Sequence, residues 1–407
     1  MKLTTPVTSS AALLNHFESH EEDRAALVDP QPKRPESKSR IIYALTSQGR
    51  GHSSRVTAMA EALEAQGHEL VFCAGGTAGR LIAAQGRRVI EVPVLRHLMH
   101  NNHIRLWSSL LEVGKTALET RGVVDELVER FEAFKPDLLI TDFESYSVRA
   151  AERMGLPLMC FNHQQILTHT RYEVPRRYAW DAWVARLVIN TVMPKRPEHV
   201  LLSSFFYPPV TNEDKATLVP PILRSAVRNI EPSKGEHVLV YHNDPTGVVG
   251  LLEAMTALPN QRFIAYNFNV PPNAATTMPN IEFKDPNVEG FLRDLASSKA
   301  VVSTAGFTLI SEALYLGKPM LVMPNGGIFE QTINALYLER ENLGEAYMNR
   351  APTAKELAAF IERADNHPGR RPDFLRCGND QAVACIERVL ERVTGRAMVG
   401  AGVVTAS

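Results

Sequence analysis

The stretch Val301-Val302-Ser303-Thr304-Ala305-Gly306-Phe307-Thr308-Leu309-Ile310-Ser311-Glu312 continues through Gly317-Lys318-Pro319 to Glu330-Gln331-Thr332-Ile333-Asn334. It spells a buried strand, a glycine turn, a helix and a second strand. An apolar β-branched pair ends in small polar residues, Gly306 lets the backbone turn, and a helix opens at Phe307 or Thr308. The first N–H groups of a helix have no partner inside it and sit at the positive end of its dipole, so an anion such as a diphosphate suits that place. One turn on, Glu312 offers a carboxylate at a distance suited to a ribose diol. The run Met320-Leu321-Val322-Met323 reads as the next strand, and Glu330 and Gln331 follow at its carboxyl end. Open α/β sheets bind ligands at that edge.

The same alternation extends in both directions. Ile41 to Leu45, Leu70 to Ala74, Val89 to Val92, Leu138 to Thr141 and Pro157 to Phe161 read as strands. Helices are predicted from Ser53 to Gln66, stopped by Gly67, from Thr77 to Gln85 and from Thr116 to Phe134. A second series starts at His237 to Tyr241, passes Arg262 to Tyr266 and reaches the opening stretch. The fold class is therefore α/β, and 407 residues exceed one ordinary core, so two domains are expected. The predicted divisions are a tail at 1–39, a first domain at 40–206, a proline-dense linker at 207–234, a second domain at 235–378, and a final helix with a tail at 379–407.

A second chemical clue joins the first strand to the first helix: Ser47-Gln48-Gly49-Arg50-Gly51-His52-Ser53-Ser54-Arg55. Gly49 and Gly51 permit a tight turn that brings His52 to a helix N-terminus at the carboxyl edge of the sheet. The helix dipole disfavours a charged imidazole there, so His52 suits a base that accepts a hydroxyl proton. The plainer alternative is a residue that caps the helix. Asp142, ending the strand Leu138 to Thr141, is placed to orient His52, or it is a loop or N-cap aspartate; Glu144 is the substitute orienter. No metal site is predicted, because neither Asp142 with Glu144 nor the three histidines in 96–103 have a ligand set with suitable spacing.

The spacing of Gly306, Glu312, Gly317, Pro319, Pro324, Gln331 and Asn334 resembles the donor half of nucleotide-sugar glycosyltransferases with two Rossmann-like domains facing across a cleft, the GT-B type. It is similar to MurG and the UDP-glycosyltransferases, and closest in wording to a MurG-like branch of bacterial and archaeal glycosyltransferases. The resemblance implies that Glu312 binds the ribose hydroxyls. It also implies that the turn and helix start at Thr304, Gly306, Phe307 and Thr308 receive the diphosphate. Glu330 and Gln331 would contact the sugar, and Asn334 belongs with them to the donor-binding residues. His52, in a loop like that of the family, is implicated in acceptor chemistry, and the last helix crosses back to the first domain. Where the plant-type signature has His, Asn and Ser, this chain has Thr304, Thr308 and Leu309, which leaves phosphate contacts mainly to backbone amides. The loop after Tyr241 lacks the family's glycine-serine pair; Asn243 and Thr246 supply donors there, or the segment is a plain turn on Asp244-Pro245. Phe283 lies near the nucleobase or in the core.

The expected reaction is thus metal-independent transfer, with inversion, of a sugar from a nucleotide diphosphate sugar, uridine-linked, to a hydroxyl acceptor. The nucleotide sugar is a substrate, and no cofactor is expected. Two other functions fit the same double fold: a non-hydrolysing nucleotide-sugar epimerase, and a non-catalytic nucleotide-sugar-binding protein. The segment Arg171 to Val188 interleaves basic and aromatic residues, with Trp180, Trp183, Val184, Leu187 and Val188 at helical spacing. It packs on the core or lies at a membrane surface to receive a lipid-linked acceptor. A net charge of −1 gives no whole-chain attraction to nucleic acid, and none is expected as a partner. Four cysteines without metal spacing read as thiols in a reducing compartment. With no signal-like start and no run of eighteen apolar residues, the expected location is the cytoplasm, at the inner face of the membrane if the acceptor is lipid-linked.

Overall fold

A computed structural model describes residues 38–46, 50–93, 110–242, 249–270, 273–285, 287–348, 350–366 and 377–396. Among them, two parallel sheets form, each wrapped by helices. The first takes β1 (Arg40–Leu45), β2 (Glu69–Ala74), β3 (Val89–Glu91), β4 (Leu138–Asp142), β5 (Leu158–Asn162), β6 (His199–Ser203) and β7 (Ala216–Val219), in the order β3-β2-β1-β4-β5-β6-β7. The second takes β8 (His237–Tyr241), β9 (Arg262–Tyr266), β10 (Ile281–Lys284), β11 (Ala300–Ser303), β12 (Met320–Val322) and β13 (Gly344–Ala346), ordered β10-β9-β8-β11-β12-β13. Both are doubly wound, and the strand order reverses beside β1 and β4 in one and beside β8 and β11 in the other. Such reversals open a crevice at the carboxyl ends of the strands.

The local reasons lie in the sequence. Ile41 to Leu45 are buried throughout, as a central parallel strand covered on both faces requires. The helix that follows, α1 (Arg50–Ala65), buries Val56, Met59, Ala60 and Leu63, a stripe at helical spacing. Gly67 ends that excursion at φ +88°, where an L side chain is strained. The other helices of the first half are α2 (Gly76–Ala83), α3 (Leu110–Phe134), α4 (Tyr146–Met154), α5 (Ile166–His169) and α6 (Ala179–Val192). The connector carries α7 (Ser225–Asn229), and the second half adds α8 (Val249–Thr256), α9 (Ala274–Thr277), α10 (Val288–Ser297), α11 (Phe307–Tyr315), α12 (Phe329–Arg340) and α13 (Ala354–Asp365).

The first sheet extends beyond the boundary predicted at residue 206, since β7 lies inside the proline-dense segment and pairs with β6 from Val200↔Ala216 to Ser203↔Val219. The prolines bracket this strand rather than replace it. The final helix, α14 (Asn379–Thr394), returns to the first domain and buries Ala382, Ile386, Val389 and Leu390 in the core that contains Ile41 and Leu63. His68 joins it there, with Nε2 2.7 Å from Glu387 Oε1, while its Nδ1 accepts from the Ser39 amide at 3.1 Å. Between the two sheets one apolar cluster is continuous, and the Phe206 and Tyr337 rings stack across it at 4.1 Å. The halves therefore meet through packed side chains as well as through the connector.

Candidate active site

The two crevices face one another. A cavity of about 280 Å³ is lined from the first half by Gly51, His52, Ser54, Arg55 and Gln164, and from the second by the strand ends and helix starts around Tyr241, Thr304 and Gly306. Parallel pairing of β1 with β4 sets Leu45 beside Asp142, so the loop after β1 and the end of β4 reach the same point. There His52 Nδ1 lies 2.9 Å from Asp142 Oδ1. Asp142 is fully buried, and Arg55, one turn after His52 on α1, clamps it: Nη2 stands 2.7 Å from each carboxylate oxygen and Nε 3.1 Å from Oδ2. Burial works against ionisation of Asp142, but the Arg55 guanidinium, followed by His52, outweighs it and holds the carboxyl below its ordinary value. An ionised Asp142 accepts from Nδ1–H and leaves the lone pair of His52 on Nε2. The Gln164 amide nitrogen lies 3.3 Å from that atom.

Opposite stands the start of α11. Gly306 is its N-cap residue, no side chain caps it, and the N–H groups of its first turn point toward the cavity end of β11. A Cβ built on Gly306 would meet nothing within 4 Å, whereas one on Gly51 would lie 2.6 Å from Thr308 Oγ1. Gly51 is therefore required by the close approach of the two halves, while Gly306 keeps open space over the helix tip. Phe307 seals the contact from behind: its ring stacks on His163 at 4.0 Å, and the Arg55 guanidinium lies 5.9 Å from its centre.

Glu312 lines the same cavity one turn into α11 and meets Arg224, the connector residue that precedes α7. Arg224 Nε and Nη2 lie 3.0 and 2.8 Å from Oε1. Burial raises the Glu312 carboxyl above its ordinary value, and Arg224 pulls against that rise. Beyond the helix tip, Tyr241, Tyr266, Asn267, Asn287 and Phe291 form a wall that mixes aromatic faces with amides.

Of the residues singled out from the sequence, His52, Gly51, Thr304, Gly306, Phe307, Thr308, Glu312 and Glu330 line this cavity, and Asp142 lies directly behind His52. Gly49, Asn243 and Thr246 lie outside the described residues, as do the histidines in 96–103. Two other placements, those of Gln331 and Asn334, differ from the expectation, and Phe283 takes the core position that was its alternative. Phe283 packs against Phe268 in the core on the far side of the second sheet, because alternate residues of β10 face opposite ways. Gln331 is buried, and its side-chain oxygen accepts from the Asn325 amide at 2.9 Å, holding the turn before α12. Asn334, fully buried, donates to Ala305 O at 3.0 Å and sits 2.8 Å from His163 Nε2, tying the two halves together behind Phe307. Glu144 caps α4 by accepting from the Tyr146 and Ser147 amides at 2.8 and 2.7 Å, so it is not the partner of His52.

Arg55, Gln164 and Arg224 were missed. Arg55 carried a signal, since it follows His52 by three residues and so shares its helix face. Arg224 carried none.

Two doubly wound parallel sheets that face one another across a cleft form the GT-B fold of glycosyltransferases. The chain belongs to glycosyl transferase family 1, whose model matches residues 39–364. It is 24% identical over 392 residues to an uncharacterized glycosyltransferase of Methanosarcina acetivorans, with 89% of this chain and 98% of the relative covered. Among solved structures, it resembles LpCGTa in complex with UDP (TM-score 0.59, 16% identity, covering 88% of this chain and 99% of that one). It also resembles MurG of Acinetobacter baumannii (TM-score 0.53, 14% identity, covering 86% and 99%).

Proposed function

We propose that the chain moves a sugar from a uridine diphosphate sugar to a hydroxyl acceptor with inversion at the anomeric carbon. The observation that carries this reading is the His52–Asp142 dyad facing the open tip of α11 across one cavity. Asp142 fixes the tautomer, and His52 Nε2 takes the acceptor's proton as that oxygen bonds to the anomeric carbon. The bond from that carbon to the diphosphate breaks on the opposite face, and its electron pair leaves with the nucleotide. Amides of the α11 tip receive the charge that gathers on the diphosphate, Glu312 holds the ribose, and Glu330 meets the sugar. The UDP in the LpCGTa complex supports the choice of base, as does the aromatic and amide wall at Tyr241, Tyr266 and Asn267.

The acceptor side has its own support. Helix α6 packs against α5, which follows directly on Gln164, and it exposes Trp180 (69%) and Trp183 (54%) together with Leu187, Arg176, Arg177 and Arg186 nearby. The core reading of this stripe is thereby replaced for its two tryptophans; Ala182 and Ile189 are the residues that face inward. Exposed indoles flanked by arginines suit an anionic lipid interface. This reading places a lipid-linked acceptor and a peripheral attachment at the inner face of the membrane on the same side of the first domain. No described helix is long and apolar enough to cross a membrane.

The test uses the full chain with UDP-glucose and UDP-N-acetylglucosamine. One of them raises the melting temperature, His52→Ala retains that shift but stops donor turnover, and Glu312→Ala loses the shift. Full turnover by both variants refutes the assignment. Sedimentation with phosphatidylglycerol vesicles, lost in Trp180→Ser/Trp183→Ser and absent with phosphatidylcholine, tests the membrane contact. Equal sedimentation of variant and parent removes it.

A further inference from the structure

The pairing of Arg224 with Glu312 is lopsided. Both guanidinium contacts fall on Oε1, so Oε2 is the carboxylate oxygen that Arg224 does not engage, and both residues line the cavity. A carboxylate with free rotation about its last bond presents either oxygen, whereas one gripped by two N–H donors on a single oxygen presents the other in a fixed direction.

The grip is itself located at the crossing between the halves. Asn379, at the start of α14, clamps the backbone of Leu223 from both sides: its Oδ1 accepts from the Leu223 amide and its Nδ2 donates to the Leu223 carbonyl, each at 3.0 Å. The Gly378 amide donates to Pro221 O at 2.9 Å, and a Cβ on Gly378 would stand 2.2 Å from Pro220 O, so the two chain crossings touch backbone to backbone. Ser225 then reaches Glu61 on α1 at 3.2 Å. Arg224 projects from between these anchors into the cavity that both halves line. Its position is thus set by how the halves are joined.

We infer that Arg224 is a positioning residue for the donor: gripping one oxygen of Glu312, it aims the second at the ribose diol and ties that aim to the crossing between the two domains. The inference rests on the donor-site reading given above. It differs from a plain structural pair because it assigns Arg224 an effect on ribose recognition, exerted through Glu312 and not by contact with the nucleotide.

The experiment is calorimetric titration of the full chain with UDP and with 2′-deoxy-UDP, in the parent, Arg224→Met, Arg224→Lys, Glu312→Gln and the double variant Arg224→Met/Glu312→Gln. Circular dichroism checks each fold. The double variant removes both charges and so keeps a measurable protein if Arg224→Met alone fails to fold. The parent should prefer UDP over 2′-deoxy-UDP by about tenfold, as for one charge-assisted hydrogen bond. Arg224→Met should lose most of that preference, and Arg224→Lys should recover part of it. The double variant should bind no more weakly than Glu312→Gln alone, because the two residues act as a unit. A parent-like preference in Arg224→Met overturns the inference, as do independent, additive losses, while both leave the donor reading standing. A parent that binds neither nucleotide overturns the donor reading and the inference together.

Discussion

Replacing Asp142 by Asn changes a single atom at the most constrained point of the molecule. Oδ1 accepts from His52 Nδ1 at 2.9 Å and from Arg55 Nη2 at 2.7 Å, and Oδ2 accepts from Arg55 Nη2 at 2.7 Å and Nε at 3.1 Å. A carboxamide has one acceptor oxygen. With its oxygen on the His52 side, its NH2 group meets the Arg55 donors; turned over, the NH2 group meets Nδ1, forces the proton to Nε2 and removes the base. Either way the Arg55 guanidinium, itself almost wholly buried, keeps its charge without a counterion. Breaking a buried pair on one side costs roughly 3–5 kcal/mol, a large share of the 5–15 kcal/mol that holds a typical domain. Turnover should fall by about 10²- to 10⁴-fold, the range for loss of an oriented base. Urea unfolding followed by circular dichroism measures the first, and donor consumption the second. Because Arg55 and His52 hold the Asp142 carboxyl below its ordinary value despite burial, its stabilisation is fully present at neutral pH and is lost only as pH falls through the folded-state value. The stability gap between parent and variant therefore closes in acid. Arg55→Met/Asp142→Asn should regain part of the stability and none of the turnover. A single Asp142→Asn variant within about 1 kcal/mol of the parent at pH 7 and with parent-like turnover would refute the reasoning.

Other perturbations separate the halves of the site. Gly51→Ala drives a methyl to 2.6 Å from Thr308 Oγ1; overpacking should cost about 1–3 kcal/mol and slow turnover, with partial recovery in Gly51→Ala/Thr308→Ala, as thermal melts and donor consumption would show. Gly306→Ala meets no protein atom within 4 Å and keeps a φ of −73° that alanine accepts. Its stability should change by less than about 1 kcal/mol while UDP affinity falls at least tenfold on titration, since the methyl enters the space over the helix tip. Burial pushes the His163 imidazole below its ordinary value, ahead of the opposing pull of Glu330 and Asn334. A folded-state value below the unfolded one means stability that is full above about pH 6.5 and lost as pH falls further. His163→Gln should flatten that acid limb in urea titrations, and an unchanged slope would exclude His163 as its source.

The two sheets were legible because their strands are continuous apolar runs, such as Ile41 to Leu45 and Val301 to Val302, which only a doubly covered parallel strand explains. β6, β7, β10 and β13 escaped. Ala216–Val219 is flanked by prolines, and Gly344–Ala346 is three residues with no side chain larger than a glutamate. The helix tip at Gly306 and the dyad of His52 with Asp142 were legible because each depends on a local strand-to-helix turn. Gln331 and Asn334 misled for the converse reason: a helix start supplies polar residues on every face, and sequence does not say which face is inward. Arg224 was illegible because its role exists only once two crossings of the chain are brought together.

The charges of the cavity add a last constraint. Its two described arginines are each bound to a carboxylate, Arg55 to Asp142 and Arg224 to Glu312, and Glu330 adds a further acid at the rim. Neither guanidinium is thus a bare cation offered to a diphosphate. In such a site a permanent lysine or arginine clamp would hold the product as firmly as the substrate, whereas N–H groups at a helix tip in a low-dielectric cleft gain most where charge develops. The positive end of α11 supplies partial charge without a counterion of its own, and Phe307 stacked on His163 keeps water from the rear of that tip. Arg55 has the matching role on the other side, since His52 then faces an ion pair rather than a naked carboxylate. Both described arginines of the cavity are thus taken up in ion pairs, and the His52 ring and the amides at the tip of α11 face one another between them. Raising the ionic strength should accordingly weaken UDP binding far less than it would for a site built on an exposed cation, and a steep salt dependence in calorimetry would show that a free arginine or lysine meets the diphosphate after all.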